Sequence, residues 1–223
     1  MPRMKGLEER KKRAAKIVAY LKSTYPEQKS ELLYETPFQF LVAVVLSAQC
    51  TDKLVNRVTR ALFQKYKTPK DFANADLGIF EKEISSITFF RNKAKNLILT
   101  AKAIEQIHGG TVPKSEAELV KLPGVGYKTA HVIAGELYEM WEGIPTDTHV
   151  KRFAKRFDLT NSEDLKKISK DLEALVPKKD WKYVNNGLVL YGRYVCPARP
   201  HECAEHPLTK LWPPALKRWP KVR

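Results

Sequence analysis

Apolar positions recur three and four residues apart along almost the whole chain, the period of a helix that buries one face. Ile17, Tyr20 and Leu21 form such a stripe on an otherwise basic first helix. Thr36-Pro37 reads as an N-cap followed by proline at the first helical position, opening a strongly apolar helix over 37–49. Residues 51–66 place Leu54, Val55, Val58, Ala61 and Leu62 on one face of the next. Thr68-Pro69 opens a short helix with Asp71 in its first turn, and a longer one covers 91–107. Ser115-Glu-Ala-Glu118 reads as a capping box before a short helix ending at Leu122. Another helix spans about 126–141. Ser162 begins a further one, with Glu163 and Asp164 in its first turn, and Trp181, Val184, Leu188, Tyr191 and Val195 stripe the last. The Pro- and Trp-rich tail over 196–223 reads as irregular. No stretch alternates well enough for a sheet, so the expected class is all-α.

Charge divides this helical chain. Of its 223 residues 40 are Lys or Arg and 25 Asp or Glu, for a net charge of +15. Residues 27–139 carry only +2 of it, and residues 1–26 with 140–223 carry +13. Two domains are therefore expected, a nearly neutral one from 27–139 and a basic one built from both termini. Basic side chains along one lobe suit a polyanion, whose phosphates would release counterions on binding; general solubility is the plainer use of the same charge. The longest apolar run, Phe40-Leu-Val-Ala-Val-Val-Leu46, is too short to cross a bilayer, and the N-terminus shows no signal-peptide core. Three cysteines are too few for a disulfide framework. The expectation is an intracellular monomer without membrane association, cytoplasmic or at the nucleoid if prokaryotic.

The segment Leu122-Pro-Gly-Val-Gly-Tyr-Lys-Thr-Ala130 joins two helices through a Gly-x-Gly turn. Gly124 and Gly126 permit positive φ and close backbone approach. The N–H groups opening the second helix, with its dipole, favour an anion. Gly124, Val125, Gly126 and Tyr127 thus form a candidate phosphate grip that positions the protein on a backbone and reads no sequence. An ordinary helical corner is the alternative. Lys128 follows two residues later, pointing roughly opposite the apolar face of Ala130, Ile133, Ala134, Leu137 and Trp141. A lysine that is partly desolvated near other cations can lose its proton and act as a nucleophile.

Asp147, in Thr146-Asp-Thr-His149, takes the N-cap position of a helix whose apolar face is Val150, Phe153, Ala154 and Phe157. Capping alone would account for it. The same carboxylate can face a developing cation if the chain folds back and brings it to Lys128 across a cleft.

Together with Leu46-Ser-Ala-Gln49, Thr51-Asp52, Phe89-Phe-Arg-Asn-Lys-Ala94 and Gly192-Arg-Tyr-Val-Cys196, these motifs resemble the helix-hairpin-helix DNA glycosylase superfamily, closest to its endonuclease III branch. The resemblance spans most of the chain in family order. It implies a six-helix barrel carrying the hairpin and a second helical domain from both termini. It also implies a bifunctional DNA glycosylase and abasic-site lyase of base excision repair, acting on oxidised pyrimidines in duplex DNA. In that family the lysine matching Lys128 attacks C1′ of a flipped nucleotide, a Schiff base forms, and β-elimination cuts the strand. The aspartate matching Asp147 activates the lysine or stabilises the cationic sugar. Gln49 would fill the hole left by the extruded base and Phe89 would press on the opposite strand, with Phe90 as the other candidate for that role. His149 resembles a pocket residue. Relatives that only remove the base usually lack the lysine.

The tail departs from the family. Where four cysteines spaced C-x6-C-x2-C-x5-C commonly hold a 4Fe–4S cluster, this chain has Cys196, Cys203, His206 and Trp212. The expectation on sequence is that the cluster is absent and no cofactor is held. Trp212, with Pro213, Pro214 and Trp219, would pack in its place. Zinc at Cys196, Cys203 and His206, with His201 nearby, is a lesser alternative. Thr88 and Thr146 also replace a glycine and an aliphatic residue usual in the family, which bears on lesion choice. Two other functions compete: the same chemistry on a purine lesion or mismatched thymine, and a non-catalytic helix-hairpin-helix DNA-binding module. Retention of both Lys128 and Asp147 speaks against the module.

Overall fold

The computed structural model describes residues 2–27 and 30–218, and among them it holds helices and no strand. The helices are α1 (Pro2–Thr24), α2 (Pro37–Ser47), α3 (Asp52–Lys65), α4 (Pro69–Ala73), α5 (Leu77–Glu83), α6 (Phe90–His108), α7 (Glu116–Leu119), α8 (Tyr127–Tyr138), α9 (Thr148–Arg156), α10 (Leu165–Leu175), α11 (Trp181–Tyr194) and α12 (Pro207–Leu211). Short 3₁₀ turns cover Lys178–Asp180 and Pro213–Arg218. Among the described residues no helix is long and apolar enough to cross a membrane. The chain divides into two compact units, Ser30–Glu142 and one made from both ends that resumes at Gly143.

The Ser30–Glu142 unit is built on α2. Thr36 caps it by accepting from Gln39 N, and all of Phe38–Leu46 is buried, because α3, α6 and α8 pack against it. A helix apolar on every side is the natural centre of such a cluster. Phe38, Tyr66, Phe72 and Phe80 close one end, three of their four ring pairs edge to face and Tyr66–Phe72 tilted, at centroid distances of 5.2–5.7 Å. The Thr68–Asp71 pair forms a full capping box at α4. Asp76, whose side chain accepts from Ile79 N, starts α5, a helix with no counterpart in the sequence reading. On α3 the expected face differs at one position: Ala61 is exposed and Thr59 is buried.

Helix α8 stops three residues short of its expected end. Glu139 turns left-handed at φ 54°, and Trp141 folds back over α8. Gly135 makes room for it, since a Cβ there would lie 2.6 Å from the indole ring.

In the other unit α1 packs on α10, α11 and α12, and α9 on α10 and α11. Phe153, Phe157 and Tyr191 are fully buried between them. The helix expected from Ser162 begins at Leu165, with Asp164 as its N-cap. The tail is more regular than expected, holding α12 and a 3₁₀ turn. Trp212 is half-buried, tilted against Phe157 at 6.4 Å, with the Arg13 guanidinium 4.3 Å over its ring. Trp219, expected in the same packing, lies outside the described residues. Trp212→Ala should cost about 2 kcal/mol through lost burial and the lost cation–π contact. Thermal unfolding checks it, and an unchanged melting temperature would count against this packing.

Candidate active site

The hairpin turn sits between α7 and α8. Leu122 and Val125 are buried and anchor it from below, and Thr100 Oγ1 on α6 donates to Pro123 O at 2.7 Å. The two glycines do different work. Gly124 has φ 74°, and a Cβ there would lie 2.8 Å from Asn96 Cβ, so both conformation and space demand glycine. Gly126 is extended at φ −84°, with nothing within 4 Å of an added Cβ; it opens α8 without a side-chain cap. Val125 donates its N–H to Leu122 O at 3.1 Å, so its part in any phosphate grip is to hold the turn. Gly124→Ala should destabilise the protein by about 1–3 kcal/mol, from a strained φ and the Asn96 clash. Gly126→Ala should cost much less, and chemical denaturation of the two variants gives the comparison.

Tyr127 and Lys128 follow on the first turn of α8, both exposed, while Ala130, Ile133 and Ala134 face the core. The sequence reading asked for partial desolvation of Lys128. The side chain is exposed, so the chain itself does not supply that desolvation.

Gln49 occupies the turn between α2 and α3, exposed and left-handed at φ 58°. Helix α2 ends at Ser47 rather than 49 because Ala48, its C-cap, already leaves the helical region at ψ 114°. Phe89 is the N-cap of α6, also at φ 58°, and 61% exposed. Its neighbour Phe90 is half-buried against the core, so Phe89 is the exposed member of the pair.

Asp147 belongs to the unit formed by the two ends. Its Oδ1 accepts from His149 N at 2.8 Å and Val150 N at 2.9 Å, which fixes the carboxylate at the start of α9. The approach is braced: Asn185 Nδ2, buried on α11, donates to Pro145 O at 2.6 Å, and Ser169 Oγ donates to Ile144 O at 2.8 Å. His149 is half-buried, its Nδ1 3.3 Å from Arg152 Nη2. Arg152 Nη1 in turn donates to Cys196 O at 2.8 Å. Burial lowers the Arg152 pKa, with Cys196 and Asp147 among the groups opposing it. Gly192 is glycine because a Cβ there would run into His149 and Arg152. Sequence reading missed Arg152, whose only signal is its place one turn beyond His149.

The tail loop presents Cys196 and Cys203, both buried. Arg156, 2% exposed, reaches between them: Nη1 lies 2.8 Å from Cys196 Sγ, and Nη2 lies 2.8 Å from Cys203 Sγ and 3.3 Å from Thr209 Oγ1. Burial pushes the Cys196 thiol up while Arg156 pulls it down. Ligand atoms of Cys196, His201 and His206 all lie within 4.8 Å of one another.

Residues 42–178 match the family described as HhH-GPD superfamily base excision DNA repair protein. The chain is 45% identical over 195 residues to endonuclease III of Bacillus subtilis, covering 87% of this chain and 89% of that one. To endonuclease III of Synechocystis it is 42% identical over 212 residues, covering 95% and 97%. Its fold superposes on a trapped endonuclease III–DNA covalent intermediate with a TM-score of 0.86 at 38% identity, covering 93% of this chain and 98% of that one.

These likenesses correct the expectation of no cofactor. That expectation came from the ligand set of the tail, two cysteines with His206 and Trp212 where the family has two more, whereas identity to endonuclease III relatives over most of the chain points to an iron–sulfur cofactor. The residues this loop offers to such a group are two buried thiols and two imidazoles, short of four thiolates, with Trp212 at the last position and the Arg156 guanidinium on both sulfurs.

Proposed function

The chain belongs to the HhH-GPD superfamily of base excision DNA repair proteins and, within it, to the endonuclease III family, and on that footing we propose that it is a bifunctional DNA glycosylase and abasic-site lyase that removes oxidised pyrimidines from duplex DNA. The observation that carries the reading is Lys128, exposed on the first turn of α8 directly behind the hairpin.

A helix whose N-cap is glycine offers its opening N–H groups and its dipole to a phosphate. Gly124 sets the turn, Val125 anchors it, and Gly126 and Tyr127 meet the backbone. DNA held there covers Lys128 and supplies the desolvation that favours its neutral amine. The amine forms a bond to C1′ as the bond to the base breaks. Ring opening gives a protonated imine, loss of a C2′ proton expels the 3′ phosphate oxygen, and water returns the free lysine. Asp147 accepts the proton that the lysine sheds, or balances the cationic sugar. Gln49 takes the place of the flipped nucleotide, Phe89 presses on the opposite strand, and His149 lines the pocket with Arg152 behind it. In a prokaryotic cell the enzyme would work at the nucleoid.

The test is a panel of duplexes carrying one thymine glycol, one oxidised purine or one mismatched thymine. The reading expects excision with strand cleavage on thymine glycol, at least tenfold faster than on the other two, a margin of about 1.4 kcal/mol in the barrier. Preference for the purine or the mismatch would move the assignment to those lesions, and cleavage of none would leave a binding module. Duplex affinity should fall linearly with salt on logarithmic axes, by about 10³-fold or more between 50 and 200 mM if six or more phosphates are contacted. A flat profile would count against the basic unit as a DNA surface.

A further inference from the structure

Helix α6 buries Ala94, Leu97, Ile98, Ala101 and Ile104, and among them stands Lys93, only 7% exposed. A buried ammonium is costly unless its three hydrogens are satisfied. Here three acceptors are at hand: Leu46 O at 2.9 Å, Ala48 O at 2.6 Å and Cys50 Sγ at 3.9 Å. Burial nonetheless pulls the Lys93 pKa down. The two carbonyls belong to the end of α2, which has no basic residue of its own in its last turn. Lys93 supplies from another helix the cation that this negative end favours.

What these contacts surround is the turn that carries Gln49. Its flanks, Ala48 and Cys50, are both held by the one ammonium. The link continues to the second exposed group. Lys93 N donates to Phe89 O at 3.1 Å, and Thr88 N donates to Cys50 Sγ at 3.3 Å. Gln49 and Phe89 both sit at φ 58°, where a residue with a side chain is strained by about 1 kcal/mol or more unless its surroundings hold it there.

We propose that Lys93 is a positioning residue that clamps the Gln49 turn to the Phe89 turn, so that both groups entering the duplex are set before DNA arrives. The proposal rests on the assignment of Gln49 and Phe89 as wedges. Presetting them removes from the binding step the ordering cost of two mobile turns. Lys93 reaches the substrate only through Gln49 and Phe89, and its effect is confined to steps that separate base pairs.

A double-mutant cycle tests this, using Lys93→Met, Gln49→Ala and the double variant. Single-turnover excision is measured on a thymine glycol duplex, and cleavage on a single strand with one abasic site, where no pair has to be opened. Lys93→Met should slow duplex excision about ten- to a hundredfold and single-strand cleavage far less. In the Gln49→Ala background it should add less than about threefold. Lys93→Arg, which keeps a cation with donors, should recover much of the loss. Equal factors in both backgrounds, or an equal loss on the single strand, would overturn the clamp and leave a lysine that only supports the fold. Full duplex activity of Gln49→Ala alone would overturn the wedge assignment, and the clamp with it. If Lys93→Met does not fold, Lys93→Gln goes through the same cycle and is read by the same outcomes.

Discussion

Replacing Lys128 by glutamine should lower strand cleavage on the order of 10³-fold or more while leaving duplex affinity within about threefold. The two effects separate because they draw on different parts of the protein. Affinity comes from phosphate contacts spread over the hairpin and the basic residues of the chain, and one exposed lysine among 40 basic residues is a small share of that. Cleavage needs an amine at C1′, which glutamine cannot supply. Stability should hardly change, since Lys128 is exposed on the first turn of α8 and buries no apolar surface that the core needs. Gel-shift binding and single-turnover cleavage on one lesion duplex read the two quantities. If base removal survives while strand cleavage is lost, water rather than lysine displaces the base. If both survive, the nucleophile lies elsewhere.

The second large effect is expected at Asp147, where the proposed chemistry draws on the carboxylate that caps α9. Asn is as good an N-cap as Asp, so Asp147→Asn should preserve the bonds from His149 N and Val150 N and leave the melting temperature nearly unchanged. It removes the negative charge, and turnover should fall on the order of 10²–10⁴-fold. Asp147→Ala should lose the same activity and about 1 kcal/mol of stability besides. If capping were its whole role, the asparagine variant would be fully active and only the alanine variant impaired. The pair of variants, followed by kcat and by thermal unfolding, therefore assigns the two functions separately.

Features carried by local sequence chemistry were legible in advance. Thr36-Pro37, Thr68-Pro69 and Asp147 are N-caps whose side chains and neighbours declare them, and each caps the helix it was expected to cap. Pro-Gly-Val-Gly between two helical patterns located the hairpin for the same reason. What escaped the sequence depends on partners far along the chain. Lys93 reads as one more lysine on a lysine-bearing helix, and its acceptors lie 43 to 47 residues earlier. Arg156 reads as a basic residue in the last turn of α9, and the sulfurs it meets are 40 and 47 residues later. Which of Phe89 and Phe90 is the exposed one needed the backbone: Phe89 is a left-handed N-cap, 61% exposed, and Phe90 is half-buried against the core. Helix α8 was drawn too long because Trp141 keeps the apolar period, although it lies outside the helix, half-buried and folded back over Gly135. The cofactor expectation failed differently. It weighed the ligand set of the tail alone, with His206 and Trp212 at the last two positions, and the relatives that correct it are recognised over most of the chain.

The central claim is that Lys128 forms a Schiff base with the sugar. Borohydride reduces such an imine to a stable amine, so the most direct measurement is to mix the protein with a duplex bearing one abasic site, add borohydride, and locate any covalent adduct by peptide mass. The account predicts one adduct, on the peptide containing Lys128, absent from Lys128→Gln. An adduct on another lysine, or none from the wild-type protein despite duplex binding, would contradict it.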